Sequence, residues 1–75
     1  MTKKETKRKI YNKLKSSNNE DFVKRWNLIF SDEKVDSLGD KDKEYYLEIL
    51  KEELSLMEDN ILLSSYKKIS KANID

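Results

Sequence analysis

The stretch YYLEILKEELSLMEDNILL, residues 45–63, decides the fold class. Eleven of its nineteen residues are apolar, and they recur at three- and four-residue intervals rather than at every second position. At about 100° per residue that spacing collects side chains on the faces of an α-helix, whereas a half-buried strand alternates. Tyr46, Leu47, Leu50, Leu54, Met57 and Ile61 make one stripe. Within it, Leu47-Leu50-Leu54-Met57-Ile61 keeps the three-four alternation of a heptad seam. Tyr45, Ile49, Leu56 and Leu63 fall on nearly the opposite side, with Glu48, Lys51, Glu52 and Glu53 on the flanks.

A helix that covers only its own core needs one apolar face, and this one has two. Either neighbouring helices pack on both sides, or the second face meets another chain. The second reading is favoured, and it names Tyr45, Ile49, Leu56, Leu63 and the tyrosine that follows, Tyr66, as protein-binding residues. Tyrosine is enriched at protein interfaces.

From Lys43 to Ser70 neither glycine nor proline forces a stop. One long helix is therefore favoured. The competing reading is a tight break over Met57–Asn60, with Ser55 and Glu58 or Asp59 capping a fourth helix.

Upstream, Phe22, Val23, Trp26, Ile29 and Phe30 repeat at i, i+1, i+4, i+7 and i+8, an amphipathic stripe that makes Trp26 core. Ser17 and Glu20 have the spacing of a capping box, so this helix is expected over about Asn19–Phe30. A first helix is expected over Lys4–Ser16, with Ile10, Tyr11 and Leu14 inward and a basic end at 1–5 that frays. Residues 31–42 read as a connector, with one helical turn through Val35 and Leu38. Gly39 suits a left-handed helix cap, and Asp40 or Asp42 can cap the next helix. The expectation is a single all-α domain over 1–75, of three or four helices, with a long C-terminal helix or helical hairpin.

At 75 residues, with no cysteine and no histidine, the chain lacks disulfides, thiolate chemistry and the commonest general base and zinc ligand. So small a domain usually leans on disulfides, metal or oligomerisation, which leaves a homodimer as the expectation. Paired carboxylates need a partly desolvated cleft to work as acid and base, so no enzyme is expected. Asp40, Asp42 and Glu44 match the first ligand positions of a calcium loop. Tyr45 stands where that loop needs glycine and Lys51 where it needs glutamate, so neither metal nor cofactor is expected. No apolar run approaches the roughly 20 residues of a membrane span, and the basic start is not followed by an apolar core. A cytoplasmic protein with no membrane partner is the expectation. The excess of lysine over arginine, with frequent asparagine and isoleucine, suggests an AT-rich genome such as that of a low-GC bacterium or its phage.

Charge is unevenly placed. Residues 1–26 hold nine basic and three acidic side chains, whereas residues 27–59 hold four basic and eleven acidic. Such halves attract each other within one molecule or between copies. Lys3, Lys4, Lys7, Arg8 and Lys9 could instead neutralise phosphates, with binding that falls as salt rises. Nucleic acid is thus the alternative partner. Scarce arginine supplies little bidentate reading of guanine.

The segment MEDNILLSSYKKISKANID resembles the first helix of the Sda-type sporulation checkpoint proteins, through Met57, Asp59, Ile61, Leu62, Ser65, Tyr66, Lys68, Asn73 and Ile74. YLEILKEEL, residues 46–54, is similar to that family's second helix but precedes the first here. The resemblance covers about a quarter of the chain; that family blocks a sensor histidine kinase, and the resemblance implies a small inhibitor of a regulatory protein. Together these readings point to a non-enzymatic, protein-binding regulator, an inhibitor or adaptor.

Overall fold

The computed structural model describes residues 2–39 and 41–71. They form four helices: α1 (Lys3–Lys15), α2 (Asn19–Ile29), α3 (Asp42–Leu56) and α4 (Asp59–Lys71). The all-helical expectation holds, and the described residues contain no strand. Helix α1 packs on all three others, and α2 also packs on α4.

Side chains cap the first two helices, whereas α3 starts after Lys41 with no side-chain cap and Asp42 does not supply the one expected of it. Thr2 caps α1, its hydroxyl accepting from the Glu5 N–H at 3.2 Å. Asn18 caps α2, accepting from the Asp21 N–H at 2.8 Å. The cap expected at Ser17 therefore lies one residue on, at Asn18. Ser17 turns the other way: its hydroxyl donates to the Lys13 carbonyl at 2.6 Å and accepts from Arg25. The Lys43 ammonium donates to the Ser17 carbonyl, so α2 and the first turn of α3 are both tied to the end of α1. Arg25, absent from the expected core, is buried there.

The connector has no helical turn at Val35–Leu38. Asn27 holds it instead, its side-chain oxygen accepting from the Val35 N–H at 2.7 Å and its amide donating to the Val35 carbonyl at 2.9 Å. That amide satisfies the backbone as a strand would, so a helix is not needed there. Gly39 is not left-handed, since the described residues include no glycine with positive φ. A β-carbon at Gly39 would stand 3.1 Å from the Asp42 carboxylate, which accepts from the Gly39 N–H at 2.9 Å. Close approach, not backbone handedness, is what favours glycine here. Asp40 lies outside the described residues.

The expectation of one long C-terminal helix is corrected. Helix α3 ends at Leu56, Met57 is extended (φ −77°, ψ 143°), and α4 begins at Asp59. A helix over residues 43–70 would run about 42 Å at 1.5 Å per residue. The longest extent of the protein is only 32 Å. Breaking the helix lets both halves bury a stripe in one core. Ser55 does not cap α4, because its hydroxyl donates to the Glu52 carbonyl. Asn60 accepts from the Ile61 N–H at 3.0 Å, and the Leu62 N–H donates to the Glu58 carbonyl at 3.0 Å.

The break changes which residues face in. Leu47, Leu50 and Leu54 are buried as the seam requires and Met57 packs half-buried against them, but the seam does not continue to Ile61. It restarts one position on, with Leu62, Ser65 and Ile69. These join Ile10 and Leu14 of α1 and Phe22 and Trp26 of α2 in the core. Trp26 is 3% exposed, as the stripe in α2 required. Its ring lies 5.9 Å from Phe22, 4.4 Å from Phe30 and 5.2 Å from Tyr46. Its indole N–H has no acceptor among the described residues.

Candidate interaction surfaces

Three surfaces follow from these helices. The first is the outer side of α3. Tyr45, Glu48, Glu52 and Leu56 stand at i, i+3, i+7 and i+11, within about 80° of one another and opposite the buried Leu47, Leu50 and Leu54. All four are exposed, with Tyr45 at 66% and Leu56 at 74%. Ile49, expected beside them, is half-buried and packs on the core. Phe30, Asp32, Glu33 and Glu53 line a common depression, which places the end of α2 and the connector along that flank of α3.

The second surface is the α3–α4 corner. Leu56, Ile61 and Leu63 are exposed within eight residues of chain, at 74%, 46% and 41%. Ile61 reaches this surface because α4 restarts the helix phase, which no periodicity carried through Met57 could reveal. Leu63 shares a shallow depression of about 380 Å³ with Lys67, Lys68 and Lys71. Tyr66 is not part of this surface. It is half-buried against the core and points toward α1, where the Lys9 ammonium lies 6.0 Å from its ring centroid.

The third surface is basic. On α1, Lys4, Arg8, Tyr11 and Lys15 repeat at i, i+4, i+7 and i+11 along the flank that adjoins α3. Lys4, Lys7, Arg8, Tyr11, Lys51 and Leu54 line a groove of about 420 Å³ between the two helices. The Tyr11 ring carries two ammonium groups, Lys51 at 5.4 Å and Lys15 at 6.0 Å from its centroid, an attraction of cation for ring quadrupole. Glu48 accepts a hydrogen bond from Lys51 at 3.3 Å. That bond and the Glu48 charge, with Tyr11 assisting, hold the Lys51 ammonium above the usual lysine pKa.

Of the five basic residues expected to act together, Lys4, Lys7 and Arg8 share this groove. Lys9 belongs to a separate polar cleft of about 720 Å³ with Lys13, Asn18, Asp21, Arg25 and Tyr66. Lys3 is exposed and lines neither. Sequence reasoning missed Lys51 and Tyr11 as parts of the groove, although the i, i+4, i+7, i+11 spacing on α1 was there to be read.

No group of three or more carboxylates that could hold a metal ion occurs among the described residues. No described helix is long and apolar enough to cross a membrane. Comparison of the chain with protein-family models, with curated proteins and with solved structures finds no match.

Proposed function

We propose that this protein is a non-catalytic protein-binding regulator, an inhibitor or adaptor that docks through the outer side of α3 and the α3–α4 corner. The observation that carries this reading is the exposure of Leu56, Ile61 and Leu63 beside a complete core. Complete burial of such a side chain from full exposure contributes roughly 1.5–3 kcal/mol, and a partner that covers the exposed parts of all three gains a share of that from each. Tyr45 extends the surface along α3.

Immobilised wild-type protein and a Leu56→Ser/Leu63→Ser variant, both exposed to extract of the source cell, test the reading. The wild type should retain a protein at moderate salt that the variant loses while its helicity is unchanged. Equal retention by both would refute it.

Nucleic-acid binding is the second reading, supported by Lys4, Lys7 and Arg8 sharing one groove. The ring best placed for a base to stack on, Tyr11, already carries the ammonium groups of Lys51 and Lys15. An affinity for oligonucleotide that falls steeply between two salt concentrations would favour it.

A further inference from the structure

We infer that a second copy of this chain is a partner for these surfaces, the basic stripe of α1 in one copy meeting the acidic stripe of α3 in the other across a two-fold axis. The inference rests on the protein-binding reading and gives it a defined occupant. Its basis is a complementarity of charge between two stripes of the same length. Lys4, Arg8, Tyr11 and Lys15 on α1, and Tyr45, Glu48, Glu52 and Leu56 on α3, each span twelve residues, about 16 Å of helix from first to last. One is an apolar ring among cations. The other is an aromatic and a leucine among carboxylates.

The helices that carry them are charged to match. Helix α1 has seven basic and one acidic side chain, and α3 has five acidic and two basic. Pairing like with like is unfavourable: α3 against α3 would set Glu48 and Glu52 among carboxylates of the other copy, and α1 against α1 would set Lys4, Arg8 and Lys15 among cations. Like charges juxtaposed at an interface cost several kcal/mol. Of these three pairings, the crossed one puts opposite charges together while covering Tyr45, Leu56 and the groove floor of Tyr11 and Leu54.

Helices α1 and α3 pack side by side within one molecule, so both stripes lie on adjacent elements. A two-fold axis then forms two identical contacts at once, α1 to the partner's α3 and α3 to the partner's α1, and the assembly closes as a dimer. Part of the association is electrostatic and should weaken with salt, whereas the apolar part should persist.

A charge-exchange experiment tests this. Arg8→Glu makes the α1 stripe less basic, and Glu52→Lys makes the α3 stripe less acidic; both side chains are exposed on helices, so circular dichroism should show each variant folded. Wild type should sediment as a dimer at micromolar concentration. Each variant alone should associate about tenfold more weakly or worse. With the two stripes antiparallel, position 8 faces position 52, so an equimolar mixture should recover the dimer: one contact pairs the introduced glutamate with the introduced lysine, and the other keeps Arg8 against Glu52.

Wild type that remains monomeric, variants that dimerise as well as wild type, or a mixture that fails to recover would each overturn the inference. So would an open series of larger species, which would mean the contact does not close. If wild type is monomeric but the immobilised protein still retains an extract protein through Leu56 and Leu63, only the self-pairing fails and the protein-binding reading stands. If neither occurs, both fail.

Discussion

Changing Ile61, Leu62 and Leu63 to alanine one at a time separates the broken helix from a continuous one. Leu62 is 0% exposed and surrounded by core, so its truncation removes buried methyl groups and leaves a cavity. Such a change costs about 2–5 kcal/mol. A domain of 75 residues has a total stability of roughly 4–11 kcal/mol, so Leu62→Ala should consume a large part of it. Ile61 and Leu63 are 46% and 41% exposed, and alanine is the better helix former. Each should cost less than about 1 kcal/mol. Urea denaturation followed by far-UV circular dichroism measures all three, and an unchanged slope would assign the change to stability alone. In a continuous helix the seam from Leu47 through Met57 would put Ile61 in the core. A large loss at Ile61 with a small one at Leu62 would therefore refute the break at Met57.

Other outcomes follow from single contacts. Trp26→Ala should cost about 3–5 kcal/mol and leave little or no folded protein by thermal melting; a stable variant would show that the indole is not core. Asn27→Ala removes both hydrogen bonds to Val35, at a net cost of about 1–3 kcal/mol, and should accelerate hydrogen exchange at the Val35 amide before that of α1. Asn18→Ala should cost about 1 kcal/mol as a lost helix cap, whereas Glu20→Ala should cost less; the reverse order would restore the capping box at Ser17. The Lys51 ammonium, held by Glu48, should titrate above 10.5 by NMR and move back toward that value in Glu48→Gln. A raised pKa favours the folded state below the unfolded value, and that contribution is lost as pH rises through the folded value.

The class of the fold was legible because its cause is periodic. Phe22, Val23, Trp26, Ile29 and Phe30 can share a surface only on a helix, and the structure puts Trp26 in the core. The break at Met57 was not legible in the same way, because nothing in Ser55–Asn60 forbids helix. Its cause lies in the whole molecule: Leu54 and Leu62 must reach one core that is shorter than an unbroken helix. The error then propagated, since the phase set at Leu47 put Ile61 inside and gave no place to Leu62 or Ile69.

On the surfaces, the exposure of Tyr45 and Leu56 follows from their position opposite the seam. The half-burial of Ile49 depends on the path of the connector, which Asn27 fixes by a contact eight residues away in sequence. The burial of Arg25 likewise depends on Ser17 turning back toward α2. Such side-chain contacts have no period, and a pattern of apolar residues does not carry them.

Trp26 is the only tryptophan, and its position makes the protein its own spectroscopic probe. With its ring against Phe22, Phe30 and Tyr46 and almost no access to water, it should emit at short wavelength and resist a soluble quencher. The Tyr46 ring is close enough to pass its excitation to the indole, so light absorbed by tyrosine and emitted by Trp26 reports that the helices are packed together. Neither of the paired stripes on α1 and α3 includes this indole. Emission should therefore shift when the helices separate and change little when intact copies meet, so one fluorescence trace tells loss of structure from a change of assembly.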